Sequence, residues 1–305
     1  MIGSYAKMNI RNMQESVAQI TGRTGLLAVI GSPVAHSLSP AMHNLSLQMC
    51  GIDMVYLAFD ITKEQVPEMM RAVRTLGMRG CNVTMPDKIA VMEHLDRIDP
   101  AAELIGAVNT IVNDGGVLTG YCTDGTGFVL NLADHGVAVK GRHIAVAGAG
   151  GAATAIQIQC ALDGAASVTI LQRKGASFAR AQDTADKIRR AVPGIGAEVI
   201  DLEDQSEVMR VLRSSDLFVN ATSLGMHPNA HSTPVTDRGA FHSGLVVADA
   251  VYEPKETRLL REAAQAGCLT VGGKGMLLWQ GAAAFKLFTG CGMPVEMVRE
   301  RYFSD

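Results

Sequence analysis

The sequence predicts an α/β protein in two parts, a mixed sheet first and a doubly wound, mostly parallel sheet second. Three observations predict it. Short apolar strand segments alternate with helical segments along nearly all of the 305 residues. A hairpin signal, Asn113-Asp114-Gly115-Gly116, breaks that alternation in the first half only. A glycine-rich stretch, HIAVAGAGGAATAI at 143–156, stands mid-chain with a different kind of sequence on each side.

Taken in order, residues 1–23 read as a polar extension with room for one helix. LLAVIG (26–31) is a strand. SPVAHSLSP then loops, and Ser39 caps a helix whose first position is Pro40, where the missing N–H costs nothing. MVYLAFD (54–60) is the second strand, and a helix over 63–76 stops near Gly77. GCNVT (80–84) is the third strand, and Pro86 opens another helix. AVNTIV and VLTGYC flank the hairpin turn, so the first unit spans 1–124. GTGFVLNLADHG (125–136) is a helix leading into a second unit over 125–274. After the glycine-rich turn come a helix to about 163, strand SVTILQ (167–172) and a helix through 177–190. AEVIDL, DLFVNAT and LVVADAV are further strands. GMLLWQGAAAFKLFTG (275–290), within a last segment 275–305, is a helix too apolar to stand free in water.

The glycine-rich stretch carries the first chemical expectation. Ile144 to Ala147 form a short apolar run, as a strand covered on both faces would. Gly148, Gly150 and Ala153 fit G-x-G-x-x-(G/A), the Rossmann dinucleotide-binding fingerprint. The N–H groups of Gly148, Ala149, Gly150, Gly151 and Ala152 then face a pyrophosphate, whose charge the helix dipole favours. After the next strand the chain reads Gln172-Arg173-Lys174-Gly175. No Asp or Glu stands between 168 and 175 to bond a ribose 2′-hydroxyl; the nearest downstream is Asp183. Arg173 can instead grip a 2′-phosphate bidentately, with Lys174 adding charge, so NADP is the expected cofactor.

Composition excludes several classes. A net charge of −3 gives nothing to attract nucleic acid or anionic lipid. No apolar run reaches membrane-span length, and the polar N-terminus lacks a secretory core. Six scattered cysteines without a C-x-x-C pair suit a reducing cytoplasm. His227 and His231 flank Pro228, so they read as loop residues and not as a helical metal pair. Nothing separates a monomer from a homodimer.

Eight segments then occur in one order: SLSPAMHN (37–44), NVTMPDK (82–88), GAVNTI (106–111), TDGTGF (123–128), GAGGAA (148–153), NATSLGM (220–226), DAVYEP (249–254) and GMLLWQGA (275–282). Together they resemble the shikimate dehydrogenase family, including its quinate/shikimate branch, over residues 26–290. The resemblance implies reversible oxidation of shikimate to 3-dehydroshikimate, a step of aromatic amino-acid biosynthesis. NAD is the alternative cofactor and quinate the alternative substrate. It also implies a substrate domain followed by a Rossmann domain, with the C-terminal helices returning to the first. By the resemblance, Lys88 reaches the reacting hydroxyl and Asp124 pairs with it. Ser37 and Ser39 bind the carboxylate, and Thr84, Asn109 and Gln280 bond the ring hydroxyls. Tyr252 lies near the substrate; Thr222 and Met276 surround the nicotinamide, and Gly273 belongs to the cofactor site. Local readings stand beside these. Lys88 falls in a first helical turn, where its charge opposes the dipole. Asp124 is a natural helix N-cap, and Tyr252 and Met276 are equally suited to a core. The family's common Asn-Arg pair appears here as Gln172-Arg173. Gly175 stands where the quinate/shikimate branch carries an aspartate. A sensor without catalysis has no use for Lys88 or Asp124, yet both are present.

Overall fold

The computed structural model describes residues 20–303. The helix allowed for in the N-terminal extension falls on residues outside that range. The first sheet contains β1 (Gly25–Gly31), β2 (Met54–Asp60), β3 (Gly80–Val83), β4 (Arg97–Ile98), β5 (Thr110–Asp114) and β6 (Val117–Tyr121), in the order β2-β1-β3-β5-β6-β4. β1 runs parallel to β2 and β3, because helices α1 (Ser39–Met49) and α2 (Val66–Thr75) make the crossovers. On α2, Val66, Met70 and Val73 recur at helical spacing and are buried. β5 is antiparallel to β3 and β6, and β4 runs parallel to β6. The hairpin closes through Gly115 and Gly116, both at positive φ, 63° and 98°.

Two sequence expectations are corrected in this half. Ser39 is the first helical residue and not the cap: Leu38 holds the cap position, already near helical angles, and no side chain caps the helix. Ser37 is left to accept the Ser39 N–H, at 3.2 Å. No α-helix begins at Pro86. Residues 85–89 form a turn, closed by the Asp87 N–H on the Thr84 carbonyl, and a 3₁₀ segment follows at Ala90–His94. Lys88 therefore opposes no helix dipole, and its setting has another cause.

After α3 (Pro100–Ile105) and α4 (Thr123–Asp134) comes the second sheet. Its strands are β7 (His143–Ala147), β8 (Ser167–Gln172), β9 (Gly196–Asp201), β10 (Leu217–Asn220), β11 (Val246–Asp249) and β12 (Leu269–Val271). All pair in parallel, in the order β12-β11-β10-β7-β8-β9, the doubly wound order that opens a crevice where β7 meets β10. The connecting helices include α5 (Gly151–Leu162), α6 (Phe178–Ala191), α7 (Gln205–Arg213) and α8 (Arg258–Gln265). β12, three residues long, is too short for an alternation signal in sequence.

The apolar C-terminal helix α9 (Lys274–Thr289) finds its cover on the first sheet. Leu278, Ala282, Phe285 and Phe288 share a buried cluster with Leu27, Val29 and Tyr56, and α10 (Val295–Tyr302) adds Val298. α4 is the pivot between the sheets, and its glycines let both neighbours approach. A Cβ on Gly125 would lie 2.4 Å from the Ala155 carbonyl of α5; one on Gly127 would lie 2.4 Å from the Gln280 amide of α9. The motif TDGTGF thereby draws the glycine-rich turn and α9 to the same place.

Candidate active site

That place is a cavity of about 380 Å³. Its lining brings together Ser37, Ser39, Thr84, Lys88, Asn109, Asp124, Tyr252 and Gln280, all eight substrate and catalytic residues expected from the sequence. Ala152, Gly273 and Met276 line it too, on the side of the second sheet. The roomier cavity elsewhere, about 970 Å³ between α1, β2 and α10, gathers no such constellation: its Asp53 is bonded to Thr24 at the surface.

The centre is an ion pair. Lys88 Nζ lies 2.5 Å from Asp124 Oδ2, and the side chains are 27% and 14% exposed. Asp124 is in the first turn of α4, where Cys122 holds the cap position, so its carboxylate is free of capping duty. Its second oxygen accepts from Asn109 Nδ2 at 2.8 Å. Burial disfavours the Lys88 charge, but the Asp124 carboxylate, by charge and by hydrogen bond, outweighs it and raises the ammonium pKa above its ordinary value. Lys88 is thus held charged at neutral pH, with a proton ready and an oxygen-seeking cation at the cavity wall. Asp87, its neighbour, is buried, and its carboxylate has no hydrogen-bond partner among the described residues. Burial, with the charge of Glu64, pushes its pKa up and favours its neutral form.

Around this pair the other groups divide by element. Ser37 and Ser39 sit at the start of α1, where their hydroxyls and the helix dipole suit a carboxylate. Gln280 projects from α9, its Nε2 resting on the Leu277 carbonyl at 2.9 Å. Tyr252 is 48% exposed, which rules out the core role and leaves the cavity-lining one. Met276 serves both of its readings: half-buried, it packs on the core and lines the cavity. Gly273 is required sterically, since a Cβ there would come within 2.6 Å of the Ala250 and Val251 carbonyls. Sequence reasoning missed Asn82, a buried amide on β3 that also lines the cavity. A polar side chain in the middle of an apolar strand was the available signal.

A second cavity, about 240 Å³, lies over the fingerprint and is lined by Gly148, Ala149, Gly150, Arg173, Thr222 and Arg180, among others. Thr222 belongs here and not with Lys88. Its hydroxyl donates to Asn220 Oδ1 at 2.7 Å, and Asn220 in turn donates to Asp249 at 2.9 Å. Burial pushes the Asp249 carboxyl up to about 6, against three hydrogen bonds that favour its charge. The turn fits a pyrophosphate. Gly148 adopts φ 117° against the Ala221 carbonyl, and a Cβ on Gly150 or Gly151 would meet nothing within 4 Å, which leaves the backbone open to close approach. Gly150, Gly151 and Ala152 are exposed at the start of α5.

The corner beyond β8 differs from its sequence reading in one respect. An acid does stand there: β9 brings Asp201 alongside Gln172, and its carboxylate lies 3.4 Å from Lys174. Lys174 is turned to that partner, so Arg173 and Arg180 are the cations facing the fingerprint cavity. Arg180 was missed because it lies inside the next helix, seven residues past Arg173. No cluster of His, Cys, Asp and Glu suited to a metal occurs among the described residues, and no helix there is long and apolar enough to cross a membrane.

Comparison with known proteins places this arrangement. Residues 29–111 match the shikimate dehydrogenase substrate binding domain, and residues 273–301 match the shikimate 5′-dehydrogenase C-terminal domain. The chain is 44% identical over 285 residues to the shikimate dehydrogenase (NADP(+)) of Listeria innocua, covering 93% of this chain and 98% of that protein. Shikimate 5-dehydrogenase from Listeria monocytogenes, solved in complex with shikimate and NAD, superposes with a TM-score of 0.91 at 43% identity, over 94% of this chain and 99% of that one. Quinate dehydrogenase from Corynebacterium glutamicum, in complex with NAD, superposes with a TM-score of 0.83 at 32% identity, over 92% and 99%. The eight ordered motifs, the two sheets and the cavity that α4 and α9 close between them have one explanation: the chain belongs to the shikimate dehydrogenase family.

Proposed function

We propose that this protein is a shikimate dehydrogenase, interconverting shikimate and 3-dehydroshikimate with NADP in aromatic amino-acid biosynthesis. The observation that carries the reading is the Lys88–Asp124–Asn109 constellation in a cavity bordered by the fingerprint helix. The first sheet with α9 and α10 forms the substrate half, and the second sheet the cofactor half. Residues 1–124, 125–274 and 275–305 are the corresponding divisions. Ser37 and Ser39 hold the substrate carboxylate at the start of α1. Thr84, Asn109 and Gln280 bond its ring hydroxyls, and Tyr252 covers it.

During oxidation the substrate hydroxyl gives its proton to the Lys88–Asp124 pair, and the Lys88 charge stabilises the alkoxide as it develops. In reduction the same pair returns the proton. Ala152, Gly273 and Met276, which line the cavity, would border the nicotinamide, and that group would supply the hydride acceptor or donor when bound. The fingerprint backbone would hold the pyrophosphate of bound NADP, Thr222 would line the same cavity, and Arg173 and Arg180 would hold the 2′-phosphate, with Lys174 a peripheral charge paired to Asp201.

Action in a reducing cytoplasm is part of the same reading, supported by six free cysteines. The ligands are small molecules, with neither nucleic acid nor membrane involved, and the active unit is a monomer or homodimer. The test is direct. Purified protein with shikimate and NADP should generate reduced-nicotinamide absorbance faster than with quinate or with NAD. A higher kcat/KM for quinate reassigns the substrate, and no turnover with any pair refutes the enzyme reading.

A further inference from the structure

Behind the active site a line of buried polar groups runs across the first sheet. The Tyr56 phenol on β2 lies 2.8 Å from Asn82 Oδ1 on β3. Asn82 Nδ2 lies 3.0 Å from Thr110 Oγ1 on β5, and Thr110 Oγ1 lies 2.9 Å from Asn109 Oδ1. Asn109 Nδ2 then meets Asp124. All four side chains before Asp124 are 8% exposed or less.

The sense of every bond in this line is forced by two groups that have only one role each. The Thr123 backbone N–H, 2.8 Å from the Asn109 side chain, can only donate. The amide oxygen of Asn109 must face it, which leaves the Asn109 NH₂ for Asp124. The Asn109 backbone carbonyl, 3.1 Å from the Asn82 side chain, can only accept. The Asn82 NH₂ must face it, so the Asn82 oxygen is left for Tyr56, whose hydroxyl can only donate there. Thr110 accepts from Asn82 and so donates to Asn109. Every donor points towards Asp124.

We infer that Tyr56 and Thr110 are positioning residues: their hydroxyls carry a one-way hydrogen-bond relay that joins the Thr123 N–H and hydroxyl on Asn109 Oδ1, polarises the Asn109 amide towards Asp124 and so steadies the carboxylate for Lys88. The relay rests on the acid–base reading of Lys88 and Asp124. Bonds aligned in one sense polarise one another, and burial keeps water from replacing a missing link. Removing one hydroxyl leaves the sense of the amides fixed by the Thr123 N–H and the Asn109 carbonyl, but it takes a donor from the line, so the Asn109 amide is less polarised and holds Asp124 less firmly. Tyr56 suits the far end because its ring is stacked on His43, with centroids 4.4 Å apart, so the phenol has no freedom to swing away.

The experiment compares Thr110→Val, Tyr56→Phe, Thr110→Ser and Asp124→Asn in steady-state kinetics with shikimate and NADP, each with a melting temperature. Thr110→Val and Tyr56→Phe keep shape and lose only the hydroxyl. Each should lower kcat about tenfold, as lost supporting partners of a reactive group do, while shikimate KM stays within about twofold. Thr110→Ser should restore most of kcat whatever its melting temperature. If both hydroxyl-deleted variants keep parental kcat while Asp124→Asn is inactive, the relay is refuted and the acid–base reading stands. If Asp124→Asn keeps parental kcat, both fall. If Thr110→Ser is as slow as Thr110→Val, the hydroxyl is not the cause and the relay is refuted. Should Thr110→Val fail to fold, Tyr56→Phe decides the same question.

Discussion

His43 makes a measurable prediction about stability under acid. It sits on α1, 1% exposed, stacked on Tyr56, and neither ring nitrogen has a hydrogen-bond partner among the described residues. Nothing there rewards a proton, and burial lowers its pKa from 6.5 to about 3. The folded state therefore keeps the ring neutral while the unfolded chain protonates it below pH 6.5. Protons bound preferentially by the unfolded state destabilise the fold as pH falls, by about 1.4 kcal/mol per pH unit between those two values. The contribution is fully present above pH 6.5 and drains away towards pH 3. Between pH 7 and pH 5 it amounts to roughly 2 kcal/mol. Asp249 works in the opposite sense. Its carboxyl, pushed up to about 6, takes up a proton in the folded state first, so stability rises as pH falls through that value. The two partly cancel in the parent, so the difference from a variant isolates His43. His43→Leu should show a pH dependence shallower by roughly 2 kcal/mol between pH 7 and 5, in urea unfolding followed by circular dichroism. Parallel curves for parent and variant would refute a neutral, unpartnered His43.

Three further variants test turnover and cofactor binding. Lys88→Ala should lower kcat by ~10²-fold or more, the scale of a lost acid–base group, with a smaller change in shikimate KM; a variant with near-parental kcat would overturn the assignment. Arg173→Ala should raise the KM for NADP about tenfold, as one charge-assisted contact is worth, and leave NAD nearly unchanged. Lys174→Ala should cost less, because Lys174 is already engaged by Asp201. Steady-state kinetics with both cofactors at saturating shikimate decide this, and an equal loss with NADP and NAD defeats it.

Local signals explain where sequence reading and fold agree. The fingerprint needs glycines at set offsets, and Gly148 does adopt the positive φ that the tight turn demands. The hairpin is written in Gly115 and Gly116 for the same reason. Local reasoning also misled. Ser39 and Asp124 each look like a helix cap from their neighbours alone, and each lies inside the first turn, with its side chain directed at the cavity. Capping propensity is a competition between backbone N–H groups and other partners, and those partners come from distant strands.

The sequence by itself determined the two α/β parts, the order of most strands and helices, the fingerprint and the residue types of the site, because each is carried by short-range periodicity or backbone freedom. Only the tertiary structure decided partnership. Lys88 meets Asp124 from 36 residues away, Asp201 reaches Lys174 through strand register, and α9 returns Gln280 to a cavity begun by Ser37. The direction of the Tyr56-to-Asp124 line follows from one backbone N–H and one carbonyl placed by sheet pairing. A hydrogen bond is made or lost within a few tenths of an ångström, and that distance is set by packing between elements that are strangers in sequence.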